Sequence, residues 1–322
     1  MFESRDLAVA QVEAYPRLLG DIGGTNARFG WQVSQDAPIS HVQVLPCAEH
    51  ASLLEAAQTY LKAQGLTTPP CAAFGIANPV TGDQVAMTNH HWKFSVNALR
   101  EGLGMSRFLL LNDFTALALS LTLLPNAQKH QVGGGTAAPN AAIGLIGPGT
   151  GLGVSGLIPS ADGWTSLGSE GGHTSFAPAD ARESAVLQFA WRQYEHVSFE
   201  RLLSGPGLEL TYLALAELNQ LTVQALSAPD ITRKALDEND ALCAETLEVF
   251  CSMLGSAASN LAVTLGATGG IYIGGGVVAH LRAHLPRSGF RQAFEDKGRF
   301  ADFLSRIPTW VIEAEQPALR GA

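Results

Sequence analysis

Apolar and polar positions along the chain predict strands and helices in alternation. The segments "YPRLLGDI" (15–22) and "ARFGWQV" (27–33) are short apolar runs on either side of a glycine turn, which predicts a pair of strands. Residues 52–65, "SLLEAAQTYLKAQG", carry apolar side chains at helical spacing and end at Gly65, which predicts a helix. The segment "CAAFGIANPV" (71–80) is typical of a buried strand that ends at Pro79.

The same alternation continues to the end of the chain. "RFLLLND" (107–113) predicts a strand, and the apolar segment 114–124 after it predicts a helix. After a loop rich in Gly, Pro and Asn, residues 141–158 again predict strand, glycine turn and strand. A mainly helical stretch, with a long apolar part near 240–265, precedes a last buried strand and glycine turn at 269–278. This order of elements predicts an α/β fold.

The glycine hairpin occurs twice, at 18–33 and at 141–158, which predicts two similar α/β halves. A length of 322 residues also favours two domains, because a single core rarely grows beyond roughly 250–300 residues. Two halves would enclose a cleft, and clefts between domains are favoured ligand sites. We expect an extension at 1–13, a smaller α/β domain at 14–123 plus 305–322, and a larger α+β domain at 124–304.

Composition narrows the classes of function. Hydrophobic residues make up 46% of the chain and the net charge is −9, so a large core can form and nucleic acid or an anionic membrane would be repelled. The apolar runs are shorter than the roughly 20 residues of a membrane span, and we find no secretory signal. The four cysteines form no C-x-x-C pair, which favours free thiols in a reducing cytoplasm.

The glycine hairpins carry candidate chemistry. Glycine turns let backbone N–H groups point at an anion, and Thr25 and Thr150 add hydroxyl donors. Asp21 would face a phosphate through Mg²⁺, which prefers carboxylate, water and phosphate oxygens. An ordinary tight turn capped by Asp and Thr explains one hairpin equally well. Two hairpins in matching places favour phosphate binding.

Two nucleotide motifs do not apply. The P-loop pattern G-x-x-x-x-G-K-[ST] is absent from the sequence. "GLGVSG" (151–156) matches G-x-G-x-x-G, but the residues that follow, including Pro159, do not begin a helix. We therefore expect neither a Walker-type NTPase nor a dinucleotide oxidoreductase.

Polar residues cluster at three further places. Asn112 and Asp113 follow a predicted strand, where catalytic groups often lie, although the dipeptide alone favours a helix N-cap. In "SEGGHTSF" (169–176), Glu170 and His173 flank two glycines, which suits recognition of hydroxyl groups. Zinc ligation is the weaker alternative, because neither H-E-x-x-H nor a Cys cluster accompanies them. Glu200 alone is typical of a solvated helix residue.

A set of motifs then resembles one family. In chain order they are "GDIGGTNAR", "IANPVTGD", "MTNHHW", "LNDFTALAL", "GPGTGLGV", "SEGGHTSFAP", "HVSFERLLSGPGL" and "FEDKGRF". Together they resemble bacterial glucokinases of the non-repressor type, from about Leu18 to the C-terminus. The resemblance implies a two-domain actin-like ATPase fold of the hexokinase type, with a cleft between a smaller α/β domain and a larger α+β domain.

The resemblance also implies roles for individual residues. Asp113 matches the family's catalytic base, and the glucose contacts match Asn112, Asp113, Glu170, His173 and Glu200. The positions matching the ATP-phosphate hairpins are Gly20, Asp21, Ile22, Gly23, Gly24, Thr25, Gly149, Thr150, Gly151 and Gly153. The adenosine end matches Gly274, Gly275 and Gly276.

The expected activity is ATP-dependent phosphorylation of D-glucose at its 6-hydroxyl, the first step of glycolysis, with ATP and Mg²⁺ as cofactors. We expect a cytoplasmic homodimer that binds neither nucleic acid nor membrane. Two alternatives remain open: a kinase for another hexose or hexosamine, and an actin-like ATPase or sugar-sensing regulator. The Asn, Asp, Glu and His set speaks against the second alternative, and the roughly seventeen residues before Leu18 are too few for a helix-turn-helix.

Overall fold

The computed structural model describes residues 15–88, 90–161, 163–314 and 317–322. Within them the strands are β1 (Arg17–Ile22), β2 (Asn26–Gln32), β3 (Ser40–Pro46), β4 (Cys71–Ile76), β5 (Gln84–Ala86), β6 (Lys93–Ser95), β7 (Arg107–Asn112), β8 (Lys129–Val132), β9 (Ile143–Pro148), β10 (Leu152–Ser160), β11 (Gly163–Ser169), β12 (Ile271–Ile273) and β13 (Thr309–Ile312). The helices are α1 (Leu53–Ala63), α2 (Val96–Gly102), α3 (Asp113–Ser120), α4 (Ala181–Ala190), α5 (Phe199–Leu202), α6 (Gly205–Leu218), α7 (Ala228–Asp237), α8 (Ala241–Leu265), α9 (Gly276–Leu281), α10 (Phe290–Glu295), α11 (Ala301–Ser305) and α12 (Pro317–Gly321).

The chain forms two compact units. The first ends at Ser120 and includes α12, and the second comprises the residues between Ser120 and α12. The sequence had assigned the whole of 305–322 to the smaller domain, whereas the structure divides this tail. β13 belongs to the second unit because it pairs with β12 on one side and β8 on the other. α12 packs on α3 in the first unit.

The first unit is built on a mixed sheet with the order β3-β2-β1-β4-β7. β1 and β2 form the antiparallel hairpin that the glycine pattern predicts, while β4 and β7 run parallel to β1. Parallel strands place their carboxyl ends at one edge of the sheet, together with the tip that follows β1. The core on one face is aromatic: the Phe29 ring lies 5.3 Å from Tyr60 and 5.6 Å from Phe74, centroid to centroid.

The second unit is built on a sheet with the order β11-β10-β9-β12-β13-β8. Its first five strands follow the same pattern as the first sheet: two antiparallel pairings, then two parallel ones. The β9–β10 hairpin thus holds the place that β1–β2 holds in the first unit. β10 continues as a strand to Ser160, so "GLGVSG" does not open a helix. The predicted pair of similar α/β halves is present in the described chain.

The long helix α8 is the core of the second unit. Asp240 caps its start by accepting a hydrogen bond from the Cys243 N–H, and Gly266 ends it in a left-handed conformation with φ of 59°. With 25 residues and a mean hydropathy of 1.3, it is long and apolar enough to cross a membrane, which the run-length argument did not anticipate. However, 67% of its most apolar window is buried against the rest of the protein, as in an ordinary core helix. Such a helix is weak evidence for a membrane span.

Candidate active site

The tip of the β1–β2 hairpin comprises Gly23, Gly24 and Thr25. The Gly23 N–H donates to the Asn26 carbonyl over 2.9 Å, which closes the turn. Gly24 is partly exposed and Thr25 is exposed, so both lie at the surface of the tip. A Cβ on Gly20 would lie 2.5 Å from the Phe74 ring, so glycine is required where β1 packs on its neighbour. These features fit a cradle for an anion.

Cys47 supports this tip from beneath and was not identified from the sequence. Its N–H donates to the Thr25 carbonyl over 2.8 Å, and its thiol donates to the Gly23 carbonyl over 3.5 Å. Its side chain is fully buried, and burial raises the pKa of the thiol. Cys47 therefore anchors the tip as a neutral group.

Asp21 lies across the hairpin from Arg28, its register partner in β2. Arg28 Nη1 donates to Asp21 Oδ2 over 2.9 Å, and the two side chains are 30% and 23% exposed for Arg28 and Asp21, respectively. Burial raises the pKa of Asp21, while the Arg28 charge and its hydrogen bond oppose that shift. The Arg28 Nε atom is buried without a hydrogen-bond partner among the described residues. Arg28 thus holds the Asp21 carboxylate in place through Nη1, while its buried Nε–H stays without a partner among the described residues.

Asn112 and Asp113 lie at the junction of β7 and α3. Asn112 Oδ1 accepts from the N–H groups of Phe114 and Thr115 over 3.0 and 3.2 Å, so Asn112 caps the helix as the dipeptide alone suggested. Asp113 Oδ1 accepts from the Phe114 N–H over 2.8 Å. Both side chains are half-buried at the carboxyl end of a parallel strand. Asn112 and Asp113 thus each hold the first turn of α3 through one side-chain oxygen.

Asn78 is a further residue of this edge that sequence reasoning did not assign. Its backbone carbonyl accepts from Asn112 Nδ2 over 3.5 Å. Its side-chain oxygen accepts from the N–H and the hydroxyl of Thr88 over 3.0 and 2.7 Å. Asn78 thereby links Asn112 to the segment before the "HHW" sequence. The motif "IANPVTGD" contains Asn78 and was the feature of the sequence that could have identified it.

The second hairpin turns at Gly149, Thr150 and Gly151. The Gly149 N–H donates to the Gly151 carbonyl over 2.8 Å, which makes the turn tight. The glycine turn at 274–276 lies against it: Gly275 has φ of 89°, and a Cβ there would overlap the Pro148 carbonyl oxygen. Two of the predicted nucleotide segments are therefore neighbours in the second unit.

Glu170, His173 and Glu200 also come together in the second unit. Glu170 Oε2 lies 3.8 Å from His173 Nε2, and Glu200 Oε1 lies 3.7 Å from His173 Nδ1. The Glu170 and His173 side chains are more than half exposed, so their polar atoms are open to a ligand. No group of three or more metal-binding side chains is placed to hold a metal ion within 15–88, 90–161, 163–314 and 317–322. Two carboxylates and an imidazole are groups that can each orient a hydroxyl.

A cavity of about 680 Å³ opens beside the second hairpin. Its volume is within the usual range for a small-molecule site. Its lining combines glycine-turn backbone, apolar side chains and charged side chains, including Gly149, Thr150, Leu208, Glu209, Ala228, Arg233, Leu236, Asp237, Val277 and His280. The apolar side chains come from α6, α7 and α9, and the motif "LLSGPGL" and the predicted glycine turn at 269–278 were the signals for them in the sequence. A lining of this kind can accept a ligand that has both apolar and polar parts.

The duplicated sheets, each with a glycine hairpin at the same place, define a two-domain α/β fold of the hexokinase type. The sequence model of the family described as "Glucokinase" matches residues 18–322. The chain therefore belongs to the glucokinase family.

The relatives agree with this assignment. The chain is 54% identical over 307 residues to "Bifunctional protein glk" of Paraburkholderia xenovorans (strain LB400), which covers 95% of this chain and 48% of that protein. It is 51% identical over 311 residues to "Glucokinase" of Aromatoleum aromaticum (strain DSM 19018 / LMG 30748 / EbN1), covering 96% and 94% of the two chains. The chain thus spans about half the length of the bifunctional relatives.

Solved structures show the same fold. The crystal structure of a glucokinase from an Antarctic psychrotroph is similar with a TM-score of 0.88 and 34% identity, covering 95% of this chain and 97% of that one. A ROK family glucokinase from Streptomyces griseus, in complex with glucose and AMPPNP, is similar with a TM-score of 0.64 and 16% identity, covering 95% and 97%. The second likeness concerns the fold alone.

Proposed function

We propose that the chain catalyses ATP-dependent phosphorylation of D-glucose at its 6-hydroxyl, giving glucose 6-phosphate. The observation that carries the proposal is the grouping of Glu170, His173 and Glu200 next to a phosphate-type hairpin, in a chain that belongs to the glucokinase family. Carboxylates and an imidazole can each orient a sugar hydroxyl. The neighbouring hairpin supplies the N–H groups that a phosphate needs.

ATP is the proposed phosphoryl donor. The proposed phosphate contacts are the two glycine hairpin turns, residues 20–25 and residues 149–153, because turns of this kind present backbone N–H groups to anions. The cavity beside the second tip fits the adenosine part, with the glycine turn 274–276 at its edge. Its apolar side chains match a purine ring, which binds largely by apolar contact.

Asp113 is the proposed catalytic base. The glucose O6 atom forms a bond to the γ-phosphorus, the bond from that phosphorus to the β–γ bridging oxygen breaks, and the O6 proton passes to the Asp113 carboxylate. The transition state for such transfers is loose, so Asp113 acts mainly by aligning the hydroxyl and accepting its proton late. The Phe114 N–H bond to Oδ1 holds the carboxylate for that task.

Asp21 is the proposed anchor for Mg²⁺. Magnesium neutralises charge on the transferred phosphates in this class of reaction. The donor set fits outer-shell binding through water, because the Arg28 bond occupies one Asp21 oxygen and the described residues include no metal-binding group of three. Asp21 would then keep its partner while its second oxygen faces the site.

We further propose a cytoplasmic homodimer of the non-repressor branch of glucokinases. The assignment to the non-repressor branch depends on the ordered sequence motifs, because the fold alone is shared with ROK proteins. Dimer and compartment follow from the resemblance. A kinase for another hexose or hexosamine on this fold is the alternative.

A sugar panel tests the proposed function. ATP turnover of the purified chain, measured by coupled ADP release with no sugar, glucose, mannose, fructose, glucosamine and N-acetylglucosamine, should be highest with glucose and near background without sugar. Preferred turnover with another sugar would favour the alternative. Sugar-independent ATP hydrolysis would refute the kinase and favour a non-kinase ATPase.

A further inference from the structure

The backbone of Leu152 touches both parts of the proposed site in the second unit. Leu152 begins β10, directly after the hairpin tip Gly149 to Gly151. Its N–H donates to Glu200 Oε2 over 3.0 Å. Its carbonyl packs on Gly172, where a Cβ would overlap the Leu152 oxygen. The strand that forms the phosphate hairpin thus also carries the sugar-facing turn.

Glu200 has a different neighbour at each carboxylate oxygen. Oε2 accepts from the hairpin, and Oε1 lies 3.7 Å from His173 Nδ1. The approach of Oε2 depends on Gly151, because a Cβ at that position would overlap the oxygen. The glycine in the tip therefore serves the carboxylate as well as the turn.

The segment from Glu200 to Gly205 holds the tip on both sides. On the far side, the Gly205 N–H donates to the Gly149 carbonyl over 2.8 Å. Between Glu200 in α5 and Gly205 at the start of α6, the residues Leu202, Leu203 and Ser204 are buried. A short path of hydrogen bonds and buried residues therefore connects Glu200 with the tip.

We propose that Glu200 is a positioning residue that couples sugar binding to nucleotide binding. A sugar hydroxyl held at Oε1 fixes the carboxylate, and the fixed Oε2 holds the Leu152 N–H and the tip in the shape that receives phosphate. Because coupling is reciprocal, bound nucleotide strengthens sugar binding by the same factor. This inference rests on the proposed function of the site as a glucose and ATP site.

Glu170 provides the matched control. It faces His173 from the other side, with Oε2 3.8 Å from Nε2. Within the described part of the chain its carboxylate has no hydrogen bond to the hairpin. Both acids should therefore contribute to sugar affinity, but Glu200 alone should contribute to coupling.

The experiment measures the Kd of the non-hydrolysable analogue Mg·AMPPNP by titration calorimetry, without glucose and with saturating glucose. The ratio of the two values is the coupling factor. It is compared in the wild-type chain, Glu200→Ala, Glu170→Ala and Glu200→Gln, with folding checked by thermal melting. Glu200→Gln keeps one acceptor oxygen and the volume of the side chain, so it serves if the alanine variant does not fold.

We expect a wild-type coupling factor of at least about 5, within the usual span for coupled sites. Glu200→Ala should bring it to within about twofold of one, with an intermediate value for Glu200→Gln, while Glu170→Ala keeps the wild-type factor despite weaker glucose binding. A Glu200→Ala variant that loses analogue affinity equally with and without glucose would overturn the inference, since its role would then be structural. Equal loss of coupling in Glu170→Ala would overturn it too. A wild-type chain that binds the analogue but not glucose would instead refute the proposed function, before any variant is considered.

Discussion

The Asp21–Arg28 pair gives the sharpest test of how the first hairpin works. Replacing Arg28 by Met removes the guanidinium but keeps most of the apolar stem, so packing is largely retained. Arg28 lowers the pKa of Asp21 against the upward effect of burial. Its loss therefore raises that pKa further. If catalysis requires ionised Asp21, the Arg28→Met variant should lose activity at a higher pH than the wild type does when the pH is lowered.

The size of the effect follows from the geometry. A hydrogen bond to a charged group contributes roughly 1.5–3 kcal/mol, and 1.36 kcal/mol corresponds to about one pKa unit. Both side chains keep some solvent contact, at 30% and 23% exposure, so the lower end of that range applies because of screening. The acid limb of the pH profile should move upward by about one pH unit. Stability should fall by about 1–2 kcal/mol above the pKa of Asp21, because an ionised carboxylate loses its partner.

The assay is the pH dependence of kcat/KM for ATP at saturating glucose, from about pH 4.5 to 8.5, a range chosen to span an upward-shifted carboxyl titration. Arg28→Lys retains a positive charge and is the control, which should keep its acid limb within about half a unit of wild type. Asp21→Asn should abolish the limb together with most activity. An unshifted limb in Arg28→Met would refute the link between this pair and catalysis.

Three further predictions concern other parts of the proposed site. Asp113→Asn should lower kcat by about 10²–10⁴-fold in the coupled assay, and retention of more than about a tenth of wild-type kcat would exclude it as the base. Glu170→Gln should raise the glucose KM by roughly 10- to 150-fold with little change in the ATP KM, and an unchanged glucose KM would contradict a sugar contact. Gly172→Ala should reduce the free energy of unfolding in urea by about 1–3 kcal/mol, because its Cβ overlaps the Leu152 carbonyl. Gly168→Ala is the control for that variant, since no described atom lies within 4 Å of the added Cβ, and an equal loss would contradict the packing argument.

Local pattern was enough to predict the hairpins. Their glycines lie between apolar, largely buried runs, and the strands pair in the register that a tight turn dictates. The N-cap at Asn112 was equally local, because a cap depends on the next three residues. The α/β class with two similar halves followed from the alternation of strands and helices and from the repeat of one hairpin, whereas the hexokinase type was implied only by the family resemblance of the motifs.

Contacts between distant segments of the chain could not be predicted from the sequence. Nothing near Glu200 indicates that its carboxylate bonds to Leu152, 48 positions away. The tail shows the same limit: pairing of β13 with β12 and β8 is decided by backbone hydrogen bonds that a linear pattern does not specify. The contact of Cys47 with the first hairpin tip could not be predicted for the same reason, since the residues next to this buried thiol in the sequence are not distinctive.

The two hairpins also differ in the origin of their acid, and this explains why the repeat is only partly visible in the sequence. In the first hairpin the carboxylate is on the strand itself, where Asp21 meets Arg28 across the pair. In the second, Gly147 and Gly153 form the matching pair, and the carboxylate comes from Glu200 on a separate helix. An acid held by a guanidinium stays in one place, which suits a fixed metal–phosphate anchor. An acid shared between a backbone N–H and an imidazole at 3.7 Å can respond to a ligand. The same supersecondary unit can therefore give a static contact in one half and a ligand-dependent one in the other.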